Sequence, residues 1–118
     1  MALRSERGQA AERFALDYLR RQGLRLRESN YRCRAGEIDL IMSDGDSLVF
    51  VEVRQRSNPR FGGAAASVDA VKQRKLITTA RHYLQAHGTD SPARFDVVAI
   101  DAAGTPQWIR NAFYADAD

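Results

Sequence analysis

The chain has 118 residues, 44% of them apolar and 28% charged, with a net charge of +3, which fits one ordinary globular domain over 1–118. No apolar run nears the roughly 18 residues of a membrane span, and Met1–Gly8 holds no apolar signal core. The single cysteine, Cys33, excludes an internal disulfide and a Cys-based zinc site. The expected address is therefore the reducing cytoplasm, with no membrane contact.

From Ser5 to about Gln22 the pattern predicts a helix, because Ala11, Phe14, Ala15, Tyr18 and Leu19 recur on one face and Gly23 follows as a stop. Leu24 to Asn30 alternates leucine and arginine and suits a half-exposed strand, followed by a basic loop over Tyr31–Gly36. Glu37–Met42 and Leu48–Arg54 read as strands joined by Asp44-Gly45-Asp46-Ser47, taken as a four-residue hairpin loop. Gln55–Ala66, with Asn58-Pro59 and Gly62-Gly63, reads as a loop. Ser67 is placed to cap a second helix reaching about His87, with Leu76, Ala80, Tyr83 and Leu84 on its buried face. Arg94–Ile100 is a Val-rich strand. A turn at Ala103–Pro106 leads to a short strand, Gln107–Ile109, and then to one expected helical turn. The order α-β-β-β-α-β, with a weaker last strand, implies an α/β fold: a central mixed sheet flanked by helices.

Basic residues are unevenly spread. Arg54, Arg56, Arg60, Lys72, Arg74, Lys75 and Arg81 face only Asp69 as a nearby acid in sequence, and six arginines between Arg20 and Arg34 face only Glu28. Such stretches are the footprint of a phosphate-backbone binder, and arginine, 16 of the 18 basic residues, forks well onto phosphate. A GC-rich genome, which raises Arg and Ala together, accounts for the same composition, so charge alone does not assign a partner.

The two central strands carry the chemistry. With Asp44–Ser47 as the loop, Ser43 faces Leu48, Ile41 faces Phe50, Asp39 faces Glu52 and Glu37 faces Arg54. The opposite face is then Met42/Val49, Leu40/Val51 and Ile38/Val53, uniformly apolar, and a slip of one residue would set charges against it. Facing carboxylates repel unless a proton or cation lies between them. Two hard oxygen ligands suit Mg²⁺ or Mn²⁺, which fill their remaining positions with water and phosphate oxygens. Glu12 flanks the buried arc of the first helix, within reach of the sheet edge, and Lys72, Lys75 and Thr79 line one edge of the second. A plain surface hairpin with a Glu37–Arg54 ion pair is the alternative reading.

Gly36-Glu37-Ile38-Asp39-Leu40-Ile41 and Val49-Phe50-Val51-Glu52-Val53-Arg54, with Gly62-Gly63-Ala64-Ala65, Lys72, Lys75 and Arg94-Phe95-Asp96-Val97-Val98, resemble the bacterial YraN-like family of uncharacterised proteins. The match runs in order along nearly the whole chain. The resemblance implies a restriction-endonuclease-like PD-(D/E)xK core, related to Holliday junction resolvases and tRNA endonucleases. In it Asp39 is the first acid, Glu52 the second, Glu12 the helix-one glutamate, and Arg54 stands where the superfamily has lysine. Arginine stays charged at any working pH, so Arg54 cannot serve as a base, although it can hold a phosphate.

His82 and His87, five apart on a helix, are not spaced as paired metal ligands, and Cys33 has no partner that would make it a nucleophile. Trp108 and Phe113 are expected in packing. Tyr31 and Phe61 lie in basic segments suited to stacking on an unpaired base, with Phe61-Gly62-Gly63 as a flap. The expected function is a Mg²⁺- or Mn²⁺-dependent nuclease with catalytic residues Asp39, Glu52, Arg54 and Glu12, the metal on Asp39 and Glu52. Nucleic acid, DNA favoured and RNA open, would lie along Arg34, Arg56, Arg60, Lys72 and Lys75. The competing readings are a non-catalytic nucleic-acid binding module and an adaptor for a DNA-processing protein. A homodimer is expected by analogy with resolvases.

Overall fold

The computed structural model describes residues 6–56 and 68–115. The elements in chain order are α1 (Glu6–Arg21), β1 (Arg25–Cys33), β2 (Gly36–Asp44), β3 (Ser47–Arg56), α2 (Ala70–Ala86), β4 (Ala93–Asp101) and β5 (Pro106–Phe113). The strands form one mixed sheet in the order β1-β2-β3-β4-β5. Among the described strands β3 and β4 pair in parallel and the other neighbours antiparallel, and α2 lies in the crossover that a parallel pair requires.

Each face of the sheet is buried under one helix. Ala11, Ala15 and Leu19 of α1 cover Leu40, Met42, Val49, Val51, Val98 and Ile100. Leu76, Ala80 and Tyr83 of α2 cover Ile38, Ile41, Phe50, Phe95 and Val97. β2, β3 and β4 are thus apolar on both sides in their middles, and the uninterrupted Val/Ile/Leu runs of the sequence reflect that. α1 ends where Gly23 takes φ +99° and Leu24 N–H donates to Leu19 O at 3.1 Å, which starts the chain toward β1.

Five local expectations need correction. The basic segment Tyr31–Cys33 is strand, not loop: Tyr31 pairs with Ile38, Arg32 with Glu37 and Cys33 with Gly36, leaving the arginines on an edge strand where charge is tolerated. The hairpin turn is tighter than four residues, since Asp44 pairs with Ser47 and Gly45 at φ +60° makes the bend. Asp69, not Ser67, caps α2, its carboxylate accepting Lys72 N–H at 2.8 Å; Ser67 lies outside the described residues. β5 runs on to Phe113, past the expected end at Ile109, because pairing resumes at Phe95↔Phe113 beyond a bulge, and the helical turn expected of the last residues lies largely outside the described residues. Ile38 packs under α2 and not beside Leu40 and Met42. Position 39 falls opposite Asn30, whose backbone is left-handed at φ +54°, and the alternation of faces breaks there in both strands.

Thr79, expected on the edge of α2, is fully buried. It lies under Gly36, where an added Cβ would come within 3.3 Å of Thr79 Oγ1, so glycine lets β2 approach the helix closely. No helix among the described residues is long and apolar enough to cross a membrane.

Candidate functional site

The site forms where β2 and β3 part. Their ladder matches the expected register from Ser43↔Leu48 to Leu40↔Val51 and ends there. Beyond it Val53 N–H donates to Asp39 Oδ2 at 2.8 Å, so the Asp39 carboxylate takes a backbone donor of the neighbouring strand. Glu52, one residue earlier on β3, stays in the parallel ladder against Val97. Strand pairing thus fixes both acids from opposite sides of the same opening.

Glu52 is 6% exposed, and its Oε1 is buried without a hydrogen-bond partner. Burial and the adjacent Asp39 carboxyl, within hydrogen-bonding reach, push its pKa from about 4.5 up to about 7. Lys72 Nζ at 3.5 Å and Arg54 Nη2 at 3.6 Å, both on Oε2, pull the other way without cancelling the rise. Strand register alone sets no basic residue opposite the two acids; Lys72 reaches Glu52 from the first turn of α2. Arg54 Nε is also buried and unpaired, so the carboxylate and the guanidinium both keep unused bonding capacity at one point.

Glu12 accepts a 2.8 Å hydrogen bond from Asn30 Nδ2, which ties α1 to β1. Among the described residues no group of three or more His, Cys, Asp or Glu is placed to hold a metal, so Glu12 does not make a three-acid cluster with Asp39 and Glu52. The donor set that fits a cation is the two carboxylates, with Glu52 Oε1 as the orphaned oxygen. That set suits a hard, partly hydrated ion such as Mg²⁺ or Mn²⁺.

The remaining expected residues divide. Arg34 is exposed in the β1–β2 turn, Lys75 is exposed on α2, and Arg56 ends β3, all at the end of the sheet that carries the acids. Arg60, Phe61 and Gly62-Gly63 lie outside the described residues. Glu37 pairs with Arg32 of β1 at 3.0 Å instead of the expected Arg54. Tyr31 packs edge-on to Tyr83 and its hydroxyl bonds His82 Nδ1, so its ring serves packing. His87 caps α2 and Cys33 is free.

Two residues outside the expected site, Asp96 and Asn30, carry structural bonds. Asp96 is 1% exposed and fully bonded, accepting from Arg94 Nε at 3.1 Å, Trp108 Nε1 at 2.9 Å and Asn111 N at 3.1 Å. Arg94 also reaches Asp44 at 3.0 Å, so the network locks β4 to β5 and to the hairpin turn. An acid inside an apolar strand run was the available signal for Asp96.

The profile described as "Uncharacterised protein family UPF0102" matches residues 11–100. A UPF0102 protein of Nitrosomonas europaea is 56% identical over 115 residues, covering 96% of this chain and 98% of its own. One from Psychromonas ingrahamii is 56% identical over 110 residues, covering 92% and 90%. Another, from Methylococcus capsulatus, is 55% identical over 111 residues with the same coverage. The residues of the Asp39–Glu52 site and the strands β1, β2 and β3 around them fall inside the matched span, and the chain belongs to the UPF0102 family.

Proposed function

We propose that the Asp39–Glu52 opening is the centre of a divalent-cation-dependent nuclease that hydrolyses phosphodiester bonds in nucleic acid, with DNA favoured. The observation that carries this reading is the buried Glu52, with one oxygen unpartnered, set against a second carboxyl and flanked by two cations. A protein gains no stability from such an arrangement, and a cation relieves it. The resemblance to PD-(D/E)xK nucleases supports the same roles, because both acids and Arg54 occupy that pattern on β2 and β3. Asp39 and Glu52 would hold Mg²⁺ or Mn²⁺, which supplies an activated water and charge stabilisation at phosphorus. Arg54 and Lys72 hold the phosphate and offset the negative charge that builds during displacement. Arg34, Arg56, Arg60 and Lys75 would extend the backbone contact, with Arg60 outside the described residues.

One observation favours a second reading. Arg54 cannot accept a proton, so if the chemistry requires a basic amine at that position the protein binds nucleic acid without cutting it. A cleavage assay on labelled branched, single-stranded and duplex DNA with Mn²⁺, Mg²⁺ or chelator separates the two. Metal-dependent products that disappear in Glu52→Gln support the nuclease, whereas chelator-insensitive binding with no product supports the binding module.

A further inference from the structure

Among the described residues positive backbone φ values fall mostly on glycine, at Gly23, Gly45, Gly88 and Gly104 among others, but two asparagines also adopt them. Glycine meets a purely conformational demand at least cost, so an asparagine there points to use of its side chain. Asn111 stands opposite the β4 bulge, and its N–H bonds Asp96. Asn30, at φ +54°, stands in β1 between Ser29, paired with Leu40, and Tyr31, paired with Ile38, which sets it opposite Asp39. Its Nδ2 donates to Glu12 Oε1 at 2.8 Å. An ionised carboxylate only accepts, so the amide nitrogen must face Glu12 and the amide orientation is fixed by the pair itself.

We infer that Asn30 is a positioning residue: it holds the Glu12 carboxylate beside strand position 39, where Glu12 orders the water shell of the cation carried by Asp39 and Glu52. This rests on the metal-site reading above. Glu12 stands outside the two-acid set, and a carboxylate one layer out acts through hydrogen bonds to bound water; groups that fix such a layer commonly govern metal affinity. The left-handed backbone at Asn30 explains how one residue reaches α1 while its strand crosses from one face of the sheet to the other.

The test compares Mn²⁺ affinity, read by water-proton relaxation, in the full-length wild type, Asn30→Gly, Glu12→Gln and the double variant. Glycine keeps the backbone conformation and removes only the amide. Each single variant is expected to bind Mn²⁺ about tenfold more weakly, and the double variant no more weakly than either single one. Wild-type affinity in Asn30→Gly, or losses that multiply in the double variant, would overturn the inference and leave the metal site standing. A wild type that does not bind Mn²⁺ would overturn both. If Asn30→Gly does not fold, the side-chain amide resonance of Asn30 decides: it should shift on Mg²⁺ addition in the wild type and stay fixed in Glu12→Gln, and an unmoved wild-type signal rejects the inference.

Discussion

Replacing Glu52 with glutamine should make the metal-free protein more stable, and the gain should depend on pH. The folded-state pKa of Glu52 is about 7 against an ordinary 4.5. An acid raised in this way contributes its full stability below about pH 4.5, where folded and unfolded chains both carry the proton, and loses it as pH rises through about 7. At about 1.4 kcal/mol per pKa unit the loss is about 3 kcal/mol by pH 8. Glutamine keeps the shape of the protonated acid and removes this loss. For a chain of this size that corresponds to a Tm about 10 °C above wild type at pH 8 in chelator, with little difference at pH 4.5. Thermal melts of both proteins across that range provide the assay. A variant less stable than wild type at pH 8 would instead mean that Lys72 and Arg54 already neutralise Glu52. Added Mn²⁺ should then raise the wild-type Tm while leaving the variant unchanged.

Asp39→Asn keeps an oxygen for Val53 N–H and should fold normally, yet cleavage should drop by about 100-fold or more under single-turnover conditions. Lys72→Ala should weaken binding to every nucleic acid alike and flatten the log–log salt dependence by about 1, measured by fluorescence anisotropy across a salt series. Asp96→Ala strands Arg94, the Trp108 N–H and the Asn111 N–H, and should cost about 3–5 kcal/mol in urea unfolding with Mn²⁺ affinity intact in the folded fraction. A loss below about 1 kcal/mol there would show that water replaces the carboxylate.

Element order and the β2–β3 register were legible because both faces of those strands are buried and the apolar pattern admits one alignment only. The acids at 39 and 52 came from the same alignment. What the sequence hid was set by groups distant along the chain. Lys72 reaches Glu52 only because Asp69 starts α2 at that point. The face change at Asn30 and Asp39 follows from one left-handed residue that alternation rules do not anticipate. Tyr31–Cys33 read as loop because the charge of Arg32 and Arg34 masked an edge strand, and β5 was cut short because pairing resumes after a bulge.

If Asp39 and Glu52 together hold a divalent cation, calorimetric titration of Mn²⁺ into wild type and Glu52→Gln will show it. One ion should bind per wild-type chain, with proton release that is larger at pH 6 than at pH 8, and none to the variant. Equal binding by both proteins, or none by the wild type, would contradict it.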